Sequence, residues 1–256
     1  MKNVCYELMR PHEVRAEREQ RPLAYLPIGN IEWHGEQNPF GVDTLTAHGL
    51  AVRAAQNAGG IVMPPLWWGE PREFMNVEAN PDTRDEVLAA MRIPPANFKP
   101  GFMGKNHEDQ AHAYNSLLFH CYHHLASIGF KAILVVCGHY PLRFFAEFTA
   151  EVFMRESPVR VAVVVPPSLI SDLREQIGGR IGDHGGKFET SVMMALNHNL
   201  VDLSRLDPDP KVWPAGVGGE DPRESNADFG QRAMDAMTRR MGETAAALMR
   251  KAGIAT

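Results

Sequence analysis

Glu32-Trp33-His34, with Asp43 nine residues further on, brings two carboxylates and an imidazole into a short stretch that follows an apolar run. Side chains of these types bind hard or borderline cations, and three of them on one strand-end loop point to a metal site and therefore to an enzyme. Two later segments offer the remaining ligands. Cys137-Gly138-His139-Tyr140 ends the most strongly apolar stretch, so the glycine opens a turn and His139 projects from the same sheet edge as Glu32 and His34. In Gly182-Asp183-His184-Gly185-Gly186-Lys187-Phe188-Glu189, a histidine stands beside two glycines, and Glu189 falls near the amino end of the helix that follows. Together Glu32, His34, Asp43, His139 and Glu189 form a mixed carboxylate and imidazole set suited to two divalent ions, with one carboxylate bridging.

The elements that must position these residues alternate in kind. Tyr25–Ile28, Ile61–Met63, Ala132–Cys137 and Val159–Val165 are short apolar or β-branched runs that read as buried strands. Helical patterns cover Thr44–Ala58, Gln110–Ile128, Leu142–Arg155 and a closing Met234–Lys251, and Asp43 stands where it would cap the first of them. This alternation predicts an α/β fold with a mostly parallel sheet covered by helices on both faces, and such sheets place their chemistry at the carboxyl ends of the strands. Two stretches, Trp67–Asn106 and Asp207–Gly230, are rich in Pro and Gly and read as long irregular loops, the usual site of lids, substrate walls or subunit contacts.

With 256 residues, of which 44% are hydrophobic and 22% charged, the chain is long enough for one domain with a sizeable core, taken as residues 1–256. A formal charge of -5 with no basic block argues against nucleic acid as a partner. No apolar run is long enough to span a bilayer and no signal-peptide core follows Met1, so a soluble, cytoplasmic protein is expected. The cysteines Cys5, Cys121 and Cys137 lack paired spacing and read as packing residues. His120 and His124 stand four apart on a helical stretch without a carboxylate in register, and are left out of the site.

The same motifs resemble the creatininase (creatinine amidohydrolase) family. Leu26-Pro27-Ile28-Gly29-Asn30-Ile31-Glu32-Trp33-His34-Gly35 with Asp43, Gly138-His139-Tyr140, His184-Gly185-Gly186-Lys187-Phe188-Glu189-Thr190-Ser191 and the Gly216–Gly230 region carry the likeness, in order, over roughly residues 22–250. The resemblance implies a three-layer α/β/α subunit, a dinuclear centre of zinc, manganese or iron, a small-molecule amide as substrate, and a homo-oligomer, commonly a hexamer. By it, Glu32 and His139 bind one metal, His34 and Glu189 the other, and Asp43 bridges both. Two divalent ions sharing a water acidify it and polarise an amide carbonyl, so the expected reaction is metal-assisted hydrolysis of a C–N bond. His184 matches a histidine beside the reacting amide and is suited to protonate the departing nitrogen, and Tyr140 to hydrogen-bond substrate or tetrahedral intermediate.

Departures from the family pattern bear on the substrate. Pro141 stands where creatininase carries a glutamate, so proton transfer by that route is absent. The creatinine-contacting tryptophan corresponds to Gly179 or Arg180, and its acidic neighbour to Ile181. An arginine there suits an anionic amide, formamide or lactam better than creatinine. Arg180, Asp183 and Tyr140 are therefore assigned to substrate binding. A member that retains the fold but serves as a binding or assembly protein is the alternative.

Overall fold

A computed structural model describes residues 2–69, 76–99, 101–102 and 106–254. Pro71 and Pro100 of the first irregular stretch lie outside these described residues. In chain order the elements are α1 (Pro11–Gln20), β1 (Leu23–Ile28), α2 (Val42–Ala58), β2 (Ile61–Val62), α3 (Arg84–Met91) and α4 (His107–Ser127). They continue with β3 (Ala132–Cys137), α5 (Leu142–Glu156), β4 (Arg160–Val164), the single turn α6 (Arg174–Ile177), α7 (Lys187–Asn197) and α8 (Ala227–Lys251). Among the described residues no helix is long and apolar enough to cross a membrane.

The strands form one parallel sheet in the order β2-β1-β3-β4. β1 and β3 are its centre, in register from Leu23 beside Ala132 to Ile28 beside Cys137. Every residue of both strands is buried, as expected of strands covered on both faces. Alternate residues separate cleanly. Leu23, Tyr25, Ala132, Leu134 and Val136 join α2, α7 and α8 in one core, while Ala24, Leu26, Ile28, Ile133, Val135 and Cys137 join α4 and α5 in the other. Each fully buried Leu, Ile or Val contributes about 1.5–3 kcal/mol, which is what fixes the strand register.

This topology opens a crevice. The chain leaves β1 for α2 on one face, whereas it leaves β3 for α5 on the opposite face. Between two neighbouring strands whose connections diverge, the space beyond the carboxyl ends is unfilled, and ligands bind there in open α/β sheets. Glu32 follows β1 and His139 follows β3, so both flank the crevice.

The helix after β1 starts earlier than its composition suggests. Asp43 is the second residue of α2, not its cap; Gly41 holds the cap position, without a side-chain hydrogen bond. The carboxylate is thereby free to turn into the crevice. The irregular stretch 67–106 contains α3 and a 3-10 turn over Pro95–Phe98. The closing helix begins at Ala227 rather than Met234, because the Asn226 side chain accepts from the Phe229 N–H at 2.9 Å and supplies a cap.

One contact couples α2 to the sheet. A Cβ on Gly138 would stand 2.0 Å from the Asp43 carbonyl oxygen, so only glycine lets the strand end approach the first turn of α2. Because the obstacle is backbone, no rotamer change relieves it. Gly138→Ala is expected to cost about 1–3 kcal/mol in urea unfolding and to lower metal retention by shifting Asp43. Unchanged stability and metal content would show that the two segments separate freely.

Candidate metal centre

Each of the five clustered side chains is held by local structure. The Val77 N–H donates to Glu32 Oε1 at 2.6 Å, leaving the other carboxylate oxygen directed into the crevice. The His34 Nδ1 N–H donates to the Glu32 carbonyl at 3.0 Å. That bond leaves Nε2 as the nitrogen that offers a lone pair once the ring is neutral, and it lies 3.1 Å from Asp43 Oδ1 and 3.6 Å from Glu189 Oε2. His139 Nδ1 lies 3.0 Å from Asp43 Oδ2 and 3.1 Å from Glu32 Oε2. The two oxygens of Asp43 thus face two different clusters.

Glu32, His34, Asp43 and His139 are 2%, 1%, 3% and 6% exposed, so their charges are balanced by each other rather than by water. Burial alone would raise Asp43, yet His34 and His139 outweigh it and hold the carboxyl well below its usual range. Burial would lower His34, yet Asp43, with Glu189 and Glu32, pushes its ring up to about 10. Glu189 is pushed up to about 8 by burial and by Asp183 and Asp43, against the pull of His34.

The donor set fits a pair of divalent cations. Glu32 Oε2 and Asp43 Oδ2 are buried 3.1 and 3.0 Å from His139 Nδ1, which must serve both of them. A buried carboxylate oxygen in that position costs several kcal/mol unless a cation meets it. Two groups of donors, Glu32–Asp43–His139 and His34–Asp43–Glu189, have their ligand atoms within 4.8 Å of one another, and they share Asp43. The His34 bond to a backbone carbonyl is the kind of outer contact that orients a metal-ligating ring.

The third segment closes over this set from α7. Asp183 lies at the start of that helix: its Oδ2 accepts from the Phe188 N–H at 2.8 Å and its Oδ1 from the Glu189 N–H at 3.0 Å. Both oxygens assigned from sequence to substrate are thus engaged by backbone. Glu189 Oε2 accepts from the Gly185 N–H at 2.8 Å, which aims the carboxylate back over the loop. Gly185 has φ +63°, and a Cβ there would stand 2.5 Å from the His34 carbonyl oxygen. The His184 ring stacks on His34 with centroids 4.4 Å apart, and its Nε2 N–H donates to the Trp33 carbonyl at 2.8 Å. Burial and the neighbouring His34 hold its pKa below the ordinary value.

A cavity of about 670 Å³ opens above the cluster, lined by Glu32, Asp43, His139, Tyr140, His184 and Glu189 among others. Tyr140 is 51% exposed, beside Pro141 on the same wall. Arg180 is not among the lining residues; it is exposed, and its backbone N–H reaches the Glu220 carboxylate at 3.4 Å. No lysine or arginine lines the cavity among the described residues. The expectation of an anionic substrate rested on Arg180 and loses that support.

Sequence reasoning passed over Asn76–Glu78. These residues lie in the Pro-rich stretch yet are buried against the Glu32 loop, where Glu78 Oε1 accepts from the Trp33 N–H at 2.9 Å. With the Val77 bond to Glu32, they brace both ends of Glu32-Trp33. No period or cap marks them, since their burial is a purely tertiary contact.

The capping geometry predicts that Asp183→Ala destabilises the protein by about 1–2 kcal/mol in urea unfolding, with Asp183→Asn losing clearly less because an amide oxygen still accepts. Equal losses would mean that the side chain does not hold the helix start.

Comparison with known proteins places this geometry in a lineage. A family model described as "Creatininase: Creatinine amidohydrolase" matches residues 7–93 and 107–245. A creatinine amidohydrolase of Pseudomonas putida is 27% identical over 205 residues, covering 74% of this chain and 70% of that protein. A zinc–zinc form of a creatininase variant superposes with a TM-score of 0.70 at 22% identity, over 96% of this chain and 98% of the other. A manganese creatininase gives 0.71 at 22% identity over the same shares. The chain belongs to the creatininase family of amidohydrolases.

Proposed function

We propose that the protein hydrolyses the C–N bond of a small amide, formamide or lactam at a centre of two divalent ions. Glu32 and His139 would hold one, His34 and Glu189 the other, and Asp43 would bridge them. The observation that carries the reading is the placement of Asp43, with Oδ1 3.1 Å from His34 Nε2 and Oδ2 3.0 Å from His139 Nδ1. Zinc and manganese are the metals of the similar creatininase structures and suit a donor set of carboxylate oxygen and imidazole nitrogen. When bound, such a pair supplies Lewis acidity and an acidified water.

The chain's own residues do the rest. Glu32, Asp43 and Glu189 are fixed by backbone hydrogen bonds or by a helix, so their geometry is set before substrate arrives. His184 has its Nε2 N–H committed to the Trp33 carbonyl, which leaves Nδ1 as the nitrogen able to exchange a proton with a molecule in the cavity. Being held below the ordinary imidazole value, it is neutral at neutral pH and accepts a proton first. It then returns that proton to the departing nitrogen, so the sequence-based expectation of a simple acid becomes base followed by acid. Tyr140 stands at the mouth, in reach of substrate rather than of the buried ligands. With no cationic side chain on the described wall, an uncharged substrate fits better than an anion.

Metal analysis by plasma mass spectrometry on untagged, chelator-free protein tests the core of this reading. About two divalent ions are expected at this centre, so Glu189→Gln should hold about one fewer per chain than wild type; no metal above background after incubation with zinc and manganese would overturn it. A screen of small uncharged amides and lactams should then find turnover that His184→Gln reduces about 10²–10⁴-fold. Because His184 must begin neutral, activity should be retained above its pKa and lost as pH falls through it. The acid limb of kcat/KM is therefore expected below the usual histidine value of about 6.5, and an acid limb above it would remove His184 as the proton acceptor.

A further inference from the structure

We propose that Cys5, Glu7 and His48 form a second metal site, separate from the centre built on Asp43, that takes a zinc-class divalent cation. Cys5 begins the N-terminal 3-10 turn Tyr6–Leu8 and bridges to Val62, while the Val62 N–H donates to the Val4 carbonyl at 2.8 Å. This anchorage lays the N-terminal segment along the sheet edge and against α2, which carries His48. Cys5 Sγ lies 4.0 Å from His48 Nε2. The ligand atoms of Cys5, Glu7 and His48 all lie within 4.8 Å of one another.

These distances are close to what an ion needs. A thiolate and an imidazole on one tetrahedral zinc, at about 2.3 and 2.0 Å, are about 3.6 Å apart. A contraction of a few tenths of an ångström therefore brings both into its shell. Sulfur and nitrogen together select zinc over magnesium or manganese, Glu7 adds a carboxylate, and water completes four-coordination. Cys5 and His48 are half-buried and Glu7 is exposed, so the softer donors are shielded while the ion retains a path from solvent.

The site shares no residue with the other centre. His48 follows Asp43 on α2 by about 7.5 Å of helix rise and points about 140° away around the axis. A Cys–His contact alone would account for two of these side chains; the convergence of Glu7 on the same point supplies the third donor that a cation would use. Without metal, burial and the adjacent Glu7 raise the Cys5 thiol, so it is protonated and unreactive. Binding exchanges the S–H bond for a metal–sulfur bond and releases the proton to solvent. The bound ion would tie the N-terminal segment to the helix whose first turn presents Asp43. It also gives Cys5 a role beyond the packing inferred from cysteine spacing.

Cobalt(II) titration of the metal-stripped, full-length protein separates this site from the other. The Asp43 centre offers only oxygen and nitrogen donors, so a near-ultraviolet thiolate-to-cobalt charge-transfer band reports Cys5 alone. Cys137 is the one thiol close to that centre, donating to the His139 carbonyl at 2.9 Å, and Cys137→Ala is the control. The band is expected in wild type, Asp43→Asn and Cys137→Ala, absent in Cys5→Ser and strongly reduced in His48→Ala. Zinc in excess of all sites should bleach it, and Cys5→Ser should take up one equivalent less metal than wild type. No band in wild type, a band that survives Cys5→Ser, or one indifferent to His48→Ala or to zinc would overturn the proposal. Neither Cys5 nor His48 belongs to the proposed hydrolytic centre, so metal loss there leaves this result readable.

Discussion

Asp43 is a carboxylate buried almost out of reach of solvent, and most of the structure around the sheet end is arranged to make that tolerable. It is 3% exposed and stands between His34 and His139, which hold its proton off against the pull of burial. An isolated charge at that depth would cost several kcal/mol. In the metal-free protein His34 balances it, its ring pushed up to about 10 by Asp43 with Glu189 and Glu32. A divalent ion entering the cluster must displace the proton of that ring, so the same residues that stabilise the empty site compete with its filling. The burial that makes metal binding strong thus also makes it dependent on pH.

Because the charges are packed so closely, their carriers must approach one another at backbone distance. Gly138 lets the end of β3 touch the first turn of α2, and Gly185 lets the loop before α7 touch the His34 backbone. Three segments far apart in sequence therefore converge through main chain rather than through long side chains. Short, buried ligands on strand ends and helix starts lose little conformational entropy when an ion binds. Precision at this centre is a property of how the sheet and its two helical layers meet, and the ridge of Asn76–Glu78 beneath Glu32-Trp33 extends the same principle to the loop after β1.

Much of this was legible in the sequence, for physical reasons that also explain what was not. β3 matches its apolar run residue for residue, since a strand buried on both faces has no polar position to blur its ends. The ligand-bearing segments stood out because each combines a charged donor with a strand end or glycine turn. Asp43 reads from sequence both as a ligand and as a residue placed to cap α2, because a capping and a ligating aspartate look alike until the first turn is seen. Asp183 is assigned to substrate from its neighbours and lines the cavity, and its oxygens also hold the start of α7, which no motif announces. Glu78 left no trace, since a buried acid in a Pro-rich stretch has neither period nor motif. Cys5 and His48, forty-three residues apart, become neighbours only when the N-terminal segment is laid along β2.

The charge of the cavity sets what the centre can accept. Two divalent ions and the carboxylates of Glu32, Asp43 and Glu189 leave a net charge of roughly +1 at the floor. Asp183 and Glu86 add acidic character to the wall, although Asp183 is partly neutralised by burial, which pushes it up to about 6. Glu86 is further occupied, accepting from the Gly216 N–H at 2.8 Å. With both ions bound, a floor of slight positive charge under a wall with no cation among its described residues would polarise a carbonyl without trapping an anion. In the proposed reading, that balance would favour a neutral amide whose oxygen is drawn to the floor and whose nitrogen faces His184. An anionic product released into such a cavity would meet repulsion from the wall, so an arrangement suited to an uncharged amide would also help to expel the carboxylate that the proposed hydrolysis creates.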